Sequence, residues 1–151
     1  FAIDPVDGDP SPLPNPATRP DLTPGPVSSI TAPIGLIGET TNGASDNPFA
    51  PACAPLDNNF QTFFEGTTGS DWVVEWDIQG ADHMDFVEEC PVGPFSPCSL
   101  CPDGNLEKER VLEITRDLVI AFFQFHFAGD AAQESRLVGP DLPAEIQMRR
   151  R

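Results

Sequence analysis

The chain of 151 residues carries 24 acidic against 8 basic side chains, a formal charge of −16, and is 39% apolar. Such a length and apolar content suit one domain around one core. The negative field repels phosphate backbones and anionic lipid, which excludes nucleic acid as a partner. No apolar run reaches the roughly 18 residues a membrane helix requires, since the densest, "LVIAFFQFHF", is interrupted by Gln124 and His126.

The opening "FAIDPVDG" has neither a basic n-region nor a long apolar h-region, so it does not read as an export signal. It reads as the last residues of a buried strand ending at Asp4, and the expectation is a processed product or incomplete copy of something longer. Residues 9–26 hold seven of the 18 prolines, and proline neither donates to a ladder nor sits inside a helix, so an extended surface loop within the domain is expected. Residues 34–38, "IGLIG", form a short apolar run between breakers, as a buried parallel strand would. The following "ETTNGASDNPFAPACAP" reads as loop.

Residues 58–65 place Phe60, Phe63 and Phe64 at offsets of three and four, predicting a short amphipathic helix with Asp57 at its N-cap. Residues 72–78, "WVVEWDI", are aromatic and β-branched and predict a strand. Residues 106–128 predict the longest helix: Val111, Ile114, Leu118, Phe122 and Phe125 repeat as a core face, and Gly129 ends it. Residues 130–151 are left as a tail closing on "MRRR", with no role assigned. Trp72 and Trp76 read as core, and His126 as a helix-surface or core-edge histidine.

Strands alternating with helices predict an α/β fold with a parallel sheet. Two and a half strands and one long helix cannot cover both faces of such a sheet, so about half of the fold is expected to be missing. Cys53, Cys90, Cys98 and Cys101 permit three pairings into two disulfides, which sequence alone leaves open. The C-S-L-C spacing at 98–101 reads as a local staple. A structural zinc site needs four closed ligands, which this irregular spacing does not offer, so neither metal nor cofactor is expected.

Open parallel sheets gather functional groups in the loops at the carboxyl ends of their strands. Three such ends present Asp4, Glu39 and the stretch "GADHMDF" containing His83. A histidine and a carboxylate from neighbouring strand ends are what acyl transfer requires: the imidazole takes a proton from a nucleophile, and the acid fixes its tautomer and stabilises imidazolium. Acid before histidine also fits the hydrolase order Ser, Asp, His. The nucleophile is lacking. The nearest match to G-x-S-x-G, residues 43–47, lacks the second glycine and runs into Pro48, so Ser45 is rejected, and neither Cys53 nor Cys98 offers a substitute. Asp7, Asp46 and Glu39 are competing acids, and the plainer reading of His83 is an exposed loop histidine held by Asp82 or Asp85.

"IDPVDG" at 3–8, "PACAPLDNNFQTFF" at 51–64, "GADHMDF" at 80–86, and a cysteine pair followed by "DGNLEKER" and "VIAFF" resemble, in order and rough spacing, the C-terminal half of chlorophyllases and related α/β-hydrolases. The resemblance covers residues 1 to about 130. It implies a partial α/β-hydrolase domain over 1–151, with Asp4 and His83 as catalytic acid and base and the serine before Phe1. The implied activity is hydrolysis of a carboxylic ester, the phytyl ester of chlorophyll, in the chloroplast, by a chain inactive alone. Its implied partners are the ester substrate, its own N-terminal half or a larger pigment-protein assembly. Asp82 stands where the family usually has glycine, and the cysteines are spaced C-x-x-C where closer spacing is expected. A non-catalytic subunit of a pigment-protein complex, or a secreted lipase or polyester hydrolase acting outside the cell, are the alternatives.

Overall fold

The computed structural model describes residues 1–7, 22–44, 52–87 and 101–151. Among these residues four strands, β1 (Ala2–Ile3), β2 (Ile34–Gly38), β3 (Val73–Ile78) and β4 (Ile146–Arg150), form one sheet in that spatial order. The pairs β1·β2 and β2·β3 are parallel, with Ile3 opposite Ile37 and Gly38 opposite Asp77. The pair β3·β4 is antiparallel, with Trp76 opposite Met148. The described residues also form three helices, α1 (Phe60–Gly66), α2 (Lys108–Ala128) and α3 (Glu134–Val138), and 3-10 turns at Pro26–Ser29, His83–Phe86 and Ala131–Gln133, an α/β architecture.

The two faces of the sheet are set by the two-residue period of its strands. Val74, Trp76 and Ile78 point with Ile37 at α2, whose Val111, Ile114, Leu118, Ala121 and Phe122 are buried against them. Trp76 is fully buried, and its indole N–H donates to the carbonyl of Leu137 at 2.7 Å, fastening α3 over the same face. On the opposite face Leu36 and Val73 pack with Phe64 of α1. Gly38 is required there: a Cβ on it would lie 2.1 Å from the Phe60 ring. Burying a large apolar side chain contributes about 1.5–3 kcal/mol, so the larger α2 face carries most of the stability.

The long helix ends at Gly129, which takes the left-handed conformation with φ 71° that favours glycine. The short helix is capped by Asn59 rather than Asp57: the Asn59 side chain accepts the N–H of Gln61 at 3.0 Å. The stretch 130–151 is structured, not a tail. Ile146 and Met148 alternate inward along β4, Arg149 pairs with the buried Glu75 and with Glu65, and Arg151 donates to the carbonyls of Phe64 and Thr67. The terminal arginines thus hold an antiparallel edge strand to β3. Of the proline-rich stretch, residues 9–21 lie outside the described residues, while Pro26 opens a 3-10 turn.

Candidate functional site

Asp4 is the first residue past β1, and its backbone N–H donates to Ile37 O at 2.6 Å, extending the parallel pairing by one residue. It then turns sharply, with φ 41°, a left-handed value that aspartate tolerates better than most residues. Its carboxylate thereby leaves the strand and meets His83, which lies beyond the end of β3. Asp4 Oδ2 hydrogen-bonds His83 Nδ1. The Asp4 side chain is almost wholly buried, whereas that of His83 is 28% exposed, so the pair is closed on its acid side and open on its imidazole side.

The histidine is placed by three further groups. Asp82 caps the 3-10 turn, accepting the N–H of Met84 at 2.7 Å and that of Gly104 at 2.8 Å, while Asp85 accepts the N–H of Asp82 at 2.9 Å. Asp82 and Asp85 are therefore occupied in a capping box. The reading of His83 as a loop histidine held by one of them is overturned, because Asp4, 79 residues away, supplies the partner. Asn42, fully buried, accepts the His83 backbone N–H at 2.7 Å and donates to Pro102 O at 2.9 Å. Its role has no local signal in a turn-rich loop; only long-range contacts reveal it.

Pro102 is itself fixed by the disulfide between Cys53 and Cys101, which links the loop before α1 to the segment before α2. The staple expected between Cys98 and Cys101 is thus replaced: Cys53 already lies within bonding distance of Cys101 across the fold. Cys90 and Cys98, with Ser45 and Asp46, lie outside the described residues.

Glu39, one of the competing acids, is also brought to the site. It is fully buried at the end of β2, and its Oε2 accepts the Asn42 N–H at 2.8 Å. Asp4, Glu39 and His83 place one donor atom each within 4.8 Å of one another, the grouping among the described residues with a spacing a cation would also use. The Asp4–His83 hydrogen bond already joins two of those groups. Asp7 is not part of the site: it accepts the N–H groups of Leu22 at 2.6 Å and Thr23 at 2.7 Å, anchoring the chain where it re-enters the fold. His126, far along α2, is packed edge-on to Trp72, 4.3 Å between ring centres.

The electrostatics follow from burial and pairing. The hydrogen bond to Asp4, aided by the carboxylate charge, raises the His83 pKa against the opposing effect of desolvation. Burial raises the Asp4 pKa, although His83 and the nearby Glu39 amide favour its charged form. Burial pushes Glu39 up to about 7, with the Asp4 charge adding to the shift. His83 Nε2 accepts or donates no hydrogen bond among the described residues, and the described serines are engaged elsewhere: Ser28 with Gly25 O, Ser29 with Pro26 O, Ser70 with Trp72 O and Ser135 with Asp141. An imidazole held at Nδ1 by a carboxylate, with Nε2 free, is equipped to take and return a proton.

No curated protein and no solved structure matches the chain. The chlorophyllase family model matches residues 1–149, which takes in all four strands except the last residue of β4 and every element of the site. The chain belongs to the chlorophyllase family.

Proposed function

We propose that this chain supplies the acid-base half of an ester-hydrolase triad, in a chlorophyllase-like enzyme acting on the phytyl ester of chlorophyll in the chloroplast. On this reading the sheet is the C-terminal half of an α/β-hydrolase sheet, and the alcohol nucleophile belongs to polypeptide outside these residues. The observation that carries it is the hydrogen bond from His83 Nδ1 to the buried Asp4, which leaves Nε2 directed away from the pair.

The steps follow from that geometry. The nucleophilic alcohol loses its proton to His83 Nε2 as its oxygen attacks the ester carbonyl carbon. The imidazolium so formed is stabilised by the Asp4 carboxylate, and its Nε2 proton passes to the alkoxide oxygen of the leaving alcohol. An acyl-enzyme remains; water attacks it as His83 takes its proton, the acyl–oxygen bond to the enzyme breaks to free the acid, and the proton passes from His83 to the enzyme alcohol. Asp4 stays ionised throughout and holds the ring in one tautomer.

Expressed alone, the chain should take up no fluorophosphonate. Co-expressed with the G-x-S-x-G-bearing half of a chlorophyllase, it should allow that serine to be labelled and the phytyl ester to be cleaved, and His83→Ala should abolish both. Stoichiometric labelling of the chain alone, or labelling of the pair indifferent to His83→Ala, contradicts the reading and favours a non-catalytic scaffold.

A further inference from the structure

We infer that Glu39 is a positioning residue of the Asp4–His83 pair, donating a hydrogen bond from its protonated carboxyl to the ionised carboxylate of Asp4. The inference rests on the proposed acid-base role of that pair. It begins with two buried oxygens that have no hydrogen-bond partner, Asp4 Oδ1 and Glu39 Oε1. The other oxygen of each residue is used: Asp4 Oδ2 by His83 Nδ1, and Glu39 Oε2 by the Asn42 N–H. A buried polar atom left unpaired is costly, and these two sit on carboxyls whose oxygens approach within 4.8 Å. Both are acceptors when ionised, so neither can satisfy the other. One proton on Glu39 makes it a donor, and a side-chain rotation that brings it to hydrogen-bond length of Asp4 satisfies both oxygens at once.

The backbone enforces the approach. Asp4 N–H is bonded to Ile37 O, two residues before Glu39, so the two carboxyls leave the ends of adjacent parallel strands one residue apart in register. The ionisable groups around Glu39 are Asp4 at the end of β1, His83 on the 3-10 turn, and Asp82, whose charge reaches both of those. Burial and the Asp4 charge keep Glu39 neutral up to about pH 7.

Two consequences follow for the chemistry. A proton donated to Asp4 Oδ1 fixes the rotation of the Asp4 carboxyl, so that Oδ2 stays on His83 Nδ1. It also limits the charge carried by these two carboxyls to a single negative unit. Two full charges there would stabilise imidazolium more strongly and leave less neutral imidazole to act as base. Glu39 thus lets a buried acid orient the histidine without locking it in the protonated form.

The test is an NMR titration of the intact chain carrying labelled histidine and glutamate, with the His126→Asn variant to assign the two imidazoles. In the wild type the Glu39 carboxyl carbon should titrate near 7, and the His83 resonances should show a second inflection at the same pH. Glu39→Gln, whose amide still accepts from Asn42 and donates to Asp4, should remove that inflection and retain the downfield Nδ1 proton of the His83–Asp4 bond. Glu39→Leu, neutral but unable to donate, should broaden or lose that proton. A Glu39 carbon that titrates as an ordinary carboxylate, or a His83 curve unchanged by Glu39→Gln, overturns the inference. If instead Asp4→Asn leaves His83 unaltered, the acid-base pair itself is at fault, not the part assigned to Glu39.

Discussion

Asn42 accepts the backbone N–H of His83 at 2.7 Å and is itself fully buried, so the peptide that carries the imidazole is held by a side chain 41 residues earlier in sequence. The same side chain donates to Pro102 O at 2.9 Å, and its backbone N–H is held by Glu39 at 2.8 Å. The loop after β2, the turn that carries His83 and the segment before α2 thus meet at one buried amide.

Asn42→Ala should therefore be among the more damaging changes in the loop after β2. It strands the His83 N–H and the Pro102 carbonyl, each worth about 1–3 kcal/mol when buried and unpaired. Urea unfolding should show a loss of about 2–6 kcal/mol, with an unchanged slope. A loss within error of zero would mean that water replaces the amide without cost and that His83 is placed by its Asp82 cap and its bond to Asp4 without Asn42.

The disulfide between Cys53 and Cys101 spans a sequence separation of 48. Closing a loop of that size lowers the entropy of the unfolded chain by the equivalent of about 4 kcal/mol. Cys53→Ser with Cys101→Ser should lower stability by up to that amount, and thermal unfolding against the oxidised wild type measures it. The site should feel the loss too, because Pro102 follows Cys101 directly and its carbonyl holds Asn42.

The stability of the fold should fall as pH rises from about 4.5 to about 7. Glu39 has an ordinary value of 4.5 and is raised to about 7 by burial, so between those values the folded state binds a proton that the unfolded state has released. Stability then decreases with pH. Its contribution is fully present below 4.5 and lost above about 7, a difference of about 3 kcal/mol at 1.36 kcal/mol per unit. The raised values of Asp4 and His83 act in the same direction. Glu39→Gln should flatten the profile and be the more stable protein at pH 8, as denaturant midpoints across pH would show. A wild-type profile that rises over this window would contradict the burial argument.

Much of the α/β frame is legible from the residues because it is written in short-range patterns. The run "IGLIG" forms β2 over its predicted length, and the three-four repeat from Val111 to Phe122 is buried on α2. The edge strand β4 escapes notice because a strand of five residues with Ile146 and Met148 facing in looks charged and terminal; the Glu75 and Glu65 partners that make its arginines structural lie far away in sequence. The site divides in the same manner. Asp4, Glu39 and His83 stand at strand ends, where position itself is a signal, whereas Asn42 and the pairing of Cys53 with Cys101 depend on loops meeting in space.

The most direct test of the acid-base pair is the imidazole titration of the two histidines, followed by NMR in the wild type and in Asp4→Asn. The wild type should show His83 titrating above the ordinary value of 6.5, because of its bond to Asp4, and His126 below it, because of burial. Asp4→Asn should bring the His83 midpoint down and leave that of His126 in place. A His83 midpoint at or below 6.5 in the wild type, or one that ignores the change at position 4, would contradict the account.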